Sequence, residues 1–313
     1  MPAWPEIPYD AWSDTRETLH LWTQIVGKIR LAQSPWTNHS WHVTLAVTSR
    51  GLTTGAIPWE NGTFEIDFDF LEHQVLIETS RGGVRTVAMK PRSVADFHED
   101  LFARLAELGP RPRIYGRPNE IEAAIPFAED RVHSSYDASA VSRFFGALSH
   151  ADRLLKEFRA RFIGKCSPVH FFWGGFDLAV TRFSGRPAPL HSGGPPNCPA
   201  RVNEEAYSHE VSSVGFWPGS EQAPQPVFYS YAYPEPGGFP ASPIRPAQAA
   251  YNADLGEFLL PYDAARNAPS PDAAVLDFCQ SAYEAAANCA KWDRPALEKD
   301  FSSMWRPPSA RAR

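Results

Sequence analysis

The densest run of reactive side chains in this sequence is Lys165-Cys166-Ser167-Pro168-Val169-His170, which leads on to Trp173, Asp177 and Arg182. A second group, Tyr207-Ser208-His209-Glu210, follows some thirty residues later, and His42 stands apart near the N-terminus. Four chemistries use these residue types. Imidazoles with a carboxylate bind zinc or non-haem iron, so His170, His209, Glu210 and His42 are candidate ligands of a mononuclear metal, with Asp177 an alternative carboxylate. The spacing matches none of HExxH, HxxEH or HxD. On a strand, moreover, His209 and Glu210 point to opposite faces unless a bulge intervenes. Cys166 is a candidate nucleophile if Lys165 or His170 lowers its pKa, although a helix C-terminus just before it acts the other way. His170, His209 and Asp177 could instead carry acid–base catalysis without a metal, which requires only placement and tuned pKa values. Finally, Arg182 and Lys165 could clamp an anionic ligand between aromatic walls from Trp173 and Tyr231, the latter on a face shared with Tyr229 and Tyr233.

The elements that must hold these groups are readable from periodicity. Asp14 to Leu31 carries Leu19, Trp22, Ile25 and Ile29 on one helical face, behind Ser13 or Asp14 as N-cap. Alternation predicts strands over 41–48, 64–70, 75–79 and 84–89, then a helix from Ser93 to Leu108 ended by Gly109-Pro110. Further on, the pattern predicts a helix over 138–162, strands over 176–183, 207–215, 227–233 and 257–260, and a helix over 271–292. Glu65, Asp67 and Asp69 alternate with Phe64, Ile66, Phe68 and Phe70, the signature of a solvated sheet face and not of a cation site.

Both halves thus read helix, antiparallel strands, helix. A short repeat supports the parallel: Ser34-Pro35 recurs as Ser167-Pro168 and Leu45-Ala46-Val47-Thr48 as Leu178-Ala179-Val180-Thr181, both at offset 133, giving six identities in fifteen positions. In that alignment His170 replaces Thr37 and Asp177 replaces Thr44, which directs attention to the second half. The expected fold is α+β, two duplicated halves packed with pseudo-twofold symmetry: residues 1–118, a linker 119–136, and 137–300 with Pro/Gly-rich loops at 186–204 and 234–250. A disordered tail is expected over 301–313.

Composition narrows the function classes. With 313 residues, 43% hydrophobic and 21% charged, the chain can bury a large core and is not disordered. A net charge of −6 argues against broad nucleic-acid binding. No apolar run is long enough to cross a bilayer, and the N-terminus lacks the regions of a secretory signal. The four cysteines form no CxxC pair, which suits free thiols in the cytoplasm. There is no GxGxxG, Walker loop, GxSxG or EF-hand motif.

The segments 19–30, 162–174, Tyr207 to Ser213 and Phe216-Trp217-Pro218-Gly219 resemble a bacterial family known only as a domain of unknown function, over about Trp4 to Leu297. The resemblance implies one complete family unit and no activity. The residues themselves lead to the expectation of a small-molecule enzyme with its site on the second-half sheet, using a metal held by His and carboxylate. The alternatives are a non-catalytic binding protein with an aromatic pocket, or a structural homo-oligomer.

Overall fold

The computed structural model describes residues 4–60 and 62–299; the expected disordered tail over 301–313 lies outside them. The first half begins with α1 (Ser13–Gln33), N-capped by Trp12, not by the expected Ser13 or Asp14. Strands β1 (Ala46–Val47), β2 (Gly51–Thr53), β3 (Ile57–Trp59), β4 (Gly62–Asp69), β5 (Gln74–Thr79) and β6 (Val84–Ala88) follow, then α2 (Val94–Leu108). The second half opens with α3 (Ala138–Ala160) and continues with β7 (His170–Phe172), β8 (Asp177–Pro187), α4 (Ala200–Ala206), β9 (His209–Trp217) and β10 (Val227–Tyr233). It ends with β11 (Ala250–Asn252), β12 (Glu257–Pro261), α5 (Tyr262–Arg266), α6 (Pro271–Cys289) and α7 (Arg294–Leu297). Helix starts follow local chemistry: Ser93 accepts a hydrogen bond from the Asp96 amide, and Asp137 accepts from Ser139 and Ala140.

The fold is α+β with two antiparallel six-stranded sheets. One has the order β1-β2-β4-β5-β6, with β3 continuing the line of β2 along β4; the other has the order β11-β12-β10-β9-β8-β7. They meet where Leu45 and Phe171 exchange backbone hydrogen bonds of 2.9 and 2.7 Å. Each half therefore runs helix, strand meander, helix. The offset of 133 lays β1 on β8, and Leu45, where the four-residue match begins, bridges Phe171 of β7; the sheets themselves do not establish a pseudo-twofold duplication. The four matching residues are ordinary strand residues, and alternation alone does not distinguish one strand of a meander from the next.

The core lies between the sheets and their helices. α1 is buried almost throughout, with Trp22 stacked between Phe97 and Tyr136 at 4.5 and 5.5 Å. Its closest approach is at Gly27, where a Cβ would stand 2.1 Å from Trp173 Cδ1, so any larger residue must displace that indole.

The expected strand over 41–48 is mostly absent. Residues 38–40 form a 3-10 turn in which His39 and Ser40 have positive φ (58° and 56°), and pairing begins only at Leu45. The Glu205 carboxylate holds that turn by accepting the His39 amide at 2.6 and 2.8 Å. This long-range contact overrides the local alternation. The row Glu65, Asp67 and Asp69 is also less solvated than expected. Asp69 is buried against Arg50, and one Asp67 oxygen is buried without a partner.

Candidate functional site

Alternation along the second sheet sorts its residues by face. Leu178, Val180 and Arg182 of β8, Phe216 and Val214 of β9, Phe228 of β10, and Phe258 and Leu260 of β12 are buried. Asp177, Gly215, Tyr229, Tyr231, Glu257 and Leu259 occupy the other face. There a cleft of about 1140 Å³ opens, bounded by the N-terminal part of α1, residues 120–125 and the β9–β10 turn. The segment expected to be a linker thus supplies one wall of the cleft.

Three carboxyl groups converge on this space. Asp177 opens β8 directly after the Gly174-Gly175 turn. A Cβ on Gly175 would stand 2.8 Å from Asp177 Oδ1 and 3.6 Å from Glu120 Oε2, and one on Gly174 would collide with the Glu120 carboxyl. The two glycines therefore make room for both acids. Tyr229 donates its hydroxyl hydrogen bond to Asp177. Its ring lies across Gly215, where a Cβ would stand 2.4 Å from the phenol. Glu257, at the start of β12, lines the same face.

Glu120 is held by its neighbours. Its backbone is left-handed (φ 61°). Asn119 donates its amide to Gln24 Oε1 at 2.8 Å, and its side-chain oxygen accepts from Lys28. Asn119 Nδ2 donates to the Asn197 carbonyl at 2.8 Å, and the Glu120 amide donates to Pro196. Buried polar groups at successive turns of α1 thus fix the segment over the sheet. His20, a turn before Gln24, bonds through Nε2 to the Gly174 carbonyl at 2.8 Å.

Electrostatics separate the acids by environment. Burial raises Asp177 to about 6, opposed by the Tyr229 hydrogen bond. Burial and the Asp177 charge raise Glu120 and Glu257 to about 7 each. Glu120 is open to the water of the cleft, which screens part of that effect; the upward direction follows from the surrounding protein and the neighbouring carboxylate. Burial and Arg16 push His20 down to about 3, leaving it neutral.

The sequence candidates scatter. Asp177 and Tyr231 are in the cleft. His170 and His209 are not brought together: they pair with Ala179 and Pro187 of the same strand, eight residues and roughly 25 Å apart. His170 is 2% exposed, both ring nitrogens lack partners, and burial pushes it to about 3. His42 Nδ1 accepts from the Thr37 amide at 3.2 Å, stabilising a turn beside Trp36. Glu210 accepts from Ser184 and from Arg186. Among the described residues no group of three or more His, Cys, Asp or Glu is placed to hold a metal ion.

The remaining candidates also lie away from the cleft. Burial raises the Cys166 thiol to about 11, the wrong direction for a nucleophile. Arg182, 1% exposed, sits among Phe158, Tyr283 and Phe162 and donates to the Phe158 carbonyl. It faces the helices and cannot reach a ligand on the opposite face. Lys165 lies over Phe183 and Trp41 and bonds to His39 Nε2. Trp173 donates to the Val43 carbonyl at 2.7 Å.

Glu120 and Glu257 were missed because one lies in an irregular segment and the other opens a short strand. For Glu257 the signal is its place on the same face as Leu259, next to the tyrosine strand. Glu120 has no comparable local signal. A model of a family of unknown function (DUF5996) matches residues 4–299, and the chain belongs to that family. No curated protein and no solved structure matches it.

Proposed function

We propose that this member of a family without an assigned activity is a small-molecule enzyme of the acid–base type, working in the cleft on the second sheet. The observation that carries the reading is three carboxyl groups, Asp177, Glu120 and Glu257, with pKa values raised to about 6, 7 and 7 around one cleft. Raised carboxyls sharing a pocket divide the acid and base roles at neutral pH. Asp177, which receives the Tyr229 hydroxyl, keeps its charge at pH 7 and serves as base. Glu120 and Glu257, without hydrogen-bond donors among the described residues and beside that charge, hold a proton more readily and serve as acids. The tyrosine face of β10 supplies the wall against which a small molecule packs.

A metal shared by His170 and His209 has no support from their separation, and we do not retain it in the mechanism. We infer a cytoplasmic location, supported by four unpaired cysteines. A purely binding role is the competing reading, because the same cleft without proton transfer would still retain a ligand.

Carbon-13 titration of the carboxyl groups tests the proposal without a substrate. At least two of the three should titrate between pH 5.5 and 7.5, assigned through Asp177→Asn, Glu120→Gln and Glu257→Gln. If all three titrate below pH 5, the acid–base reading fails. Screening small esters, amides and glycosides should then reveal a turnover that Asp177→Asn removes; binding without turnover across such screens would favour the purely binding role.

A further inference from the structure

The charges around the cleft do not balance. Arg16 is tied to Glu17 at 2.7 Å, His133 to Asp130 at 2.7 Å, and His20 is neutral and bonded to Gly174. These are the basic residues in the cleft wall, which contains no lysine. Asp177 has one partner, the Tyr229 hydroxyl, while Glu120 and Glu257 make no side-chain hydrogen bond or ion pair among the described residues. The rings of Tyr229 and Tyr231 stand nearly parallel at 6.2 Å beside these acids. The cleft is far larger than a bare ion needs, and its acids form no metal-binding group among the described residues.

We propose that the ligand of this cleft is an organic cation: a primary amine or guanidine carried on an apolar or aromatic body. The identification rests on the acid–base reading for the location of the site, but its argument is charge balance and shape. A polyol would satisfy the hydrogen-bonding capacity of the carboxyls yet leave their mutual repulsion in place. A cation relieves that repulsion, and its apolar body packs on the tyrosine faces, which also attract positive charge. Asp177 Oδ1 and Glu120 Oε2 stand 2.8 and 3.6 Å from the one point that a Cβ on Gly175 would take, so an ammonium or guanidinium group can bond to both.

Isothermal titration of the full chain at pH 8 with tyramine, agmatine and tyrosol tests this. Tyrosol is tyramine with the amine replaced by a hydroxyl. The expected result is binding of tyramine or agmatine at least tenfold tighter than tyrosol. That binding should weaken at least tenfold in Glu120→Gln and Glu257→Gln, be recovered in part by Glu257→Asp, and be unchanged in Glu65→Gln on the first sheet. Circular dichroism establishes that each variant is folded. Equal affinity for tyrosol, amine binding indifferent to both Gln substitutions, or no amine binding at millimolar concentration overturns the cation. The two proposals fail separately. Raised carboxyl titrations with no amine preference leave only the acid–base reading, and amine binding with carboxyls titrating below pH 5 leaves only the cation.

Discussion

Two sheet faces in this protein carry carboxylates, and they have different fates. On β4, Glu65 accepts from Thr53 Oγ1 at 2.7 Å. Asp69 accepts from Arg50 at 2.7 Å and from the Leu71 and Glu72 amides at 3.0 and 3.1 Å. On the second sheet, Asp177 and Glu257 have no cationic partner among the described residues, and a segment from between the halves adds Glu120. Alternation along one strand produces the acidic face of β4, whereas strand register brings Asp177 of β8 and Glu257 of β12 to one face. What distinguishes them is the cover: residues 120–125 and the β9–β10 turn enclose the second face, whereas neighbouring side chains and turn amides satisfy most of the first. The row on β4 is not uniformly satisfied, since burial, with the Glu65 and Glu78 charges nearby, raises Asp67 to about 6. A raised carboxyl alone therefore does not make a site; an enclosing cleft is also required.

The largest effect should come from removing one charge on each face. Asp177→Asn is expected to reduce turnover, once a substrate is found, by about 10²-fold or more, and Asp67→Asn to leave it unchanged. Steady-state kinetics on the two variants decides this, and equal losses would erase the functional difference between the faces.

Next in size is the structural role of the first face. Asp69→Ala strips two turn amides and Arg50 of their acceptor and should cost about 1–3 kcal/mol in urea unfolding. Burial alone would raise the Asp69 pKa, but Arg50 and the turn amides outweigh it and hold the group below its usual value. Its contribution is present above the unfolded value near 4 and disappears as the pH falls through the native one. The loss in Asp69→Ala should therefore shrink on acidification.

Asp177 has the opposite sign. Its native carboxyl titrates near 6 and an unfolded Asp near 4, so the folded state favours the proton. That stabilisation is complete below about pH 4 and is lost as the pH rises through 6. Asp177→Asn should thus unfold at a higher temperature than the wild type at pH 8. The expected gain is about 1–2 kcal/mol after allowing for screening by cleft water, with less gain at pH 4. A gain that does not vary with pH would remove the charge from the explanation.

The smallest effect is that of Tyr229→Phe. Losing the hydroxyl that favours the carboxylate should move the Asp177 titration further upward, by about one pH unit or less. Carbon-13 NMR measures it directly, and a downward movement would contradict the hydrogen bond's assigned role.

Much of the scaffold is legible locally. The helices at 94–108, 138–160 and 271–289 lie close to their expected spans, because amphipathic periodicity and the caps at Ser93 and Asp137 act within a few residues. Tyr231 and Asp177 both line the cleft, and strand parity with residue chemistry suffices to mark them. The histidines are not brought together. His170 and His209 are close in type and moderately close in sequence, yet β8 runs eight residues between their partners. Arg182 is buried against Phe158, away from the cleft: parity shows that it opposes Asp177 in facing, but not which face the helices α3 and α6 cover.

The sequence by itself determined the α+β class, the long helices and longer strands of both halves, and the tyrosine face of β10, since each depends on residue spacing within one element. Only the tertiary structure decided that Glu120 stands beside Asp177. That pairing depends on Gln24 and Lys28 of α1 holding Asn119, and on glycines at 174 and 175 leaving space for the carboxyl. Those contacts join residues 54–95 positions apart, and no local periodicity encodes them. They are fixed by where buried polar groups find partners once the core has packed.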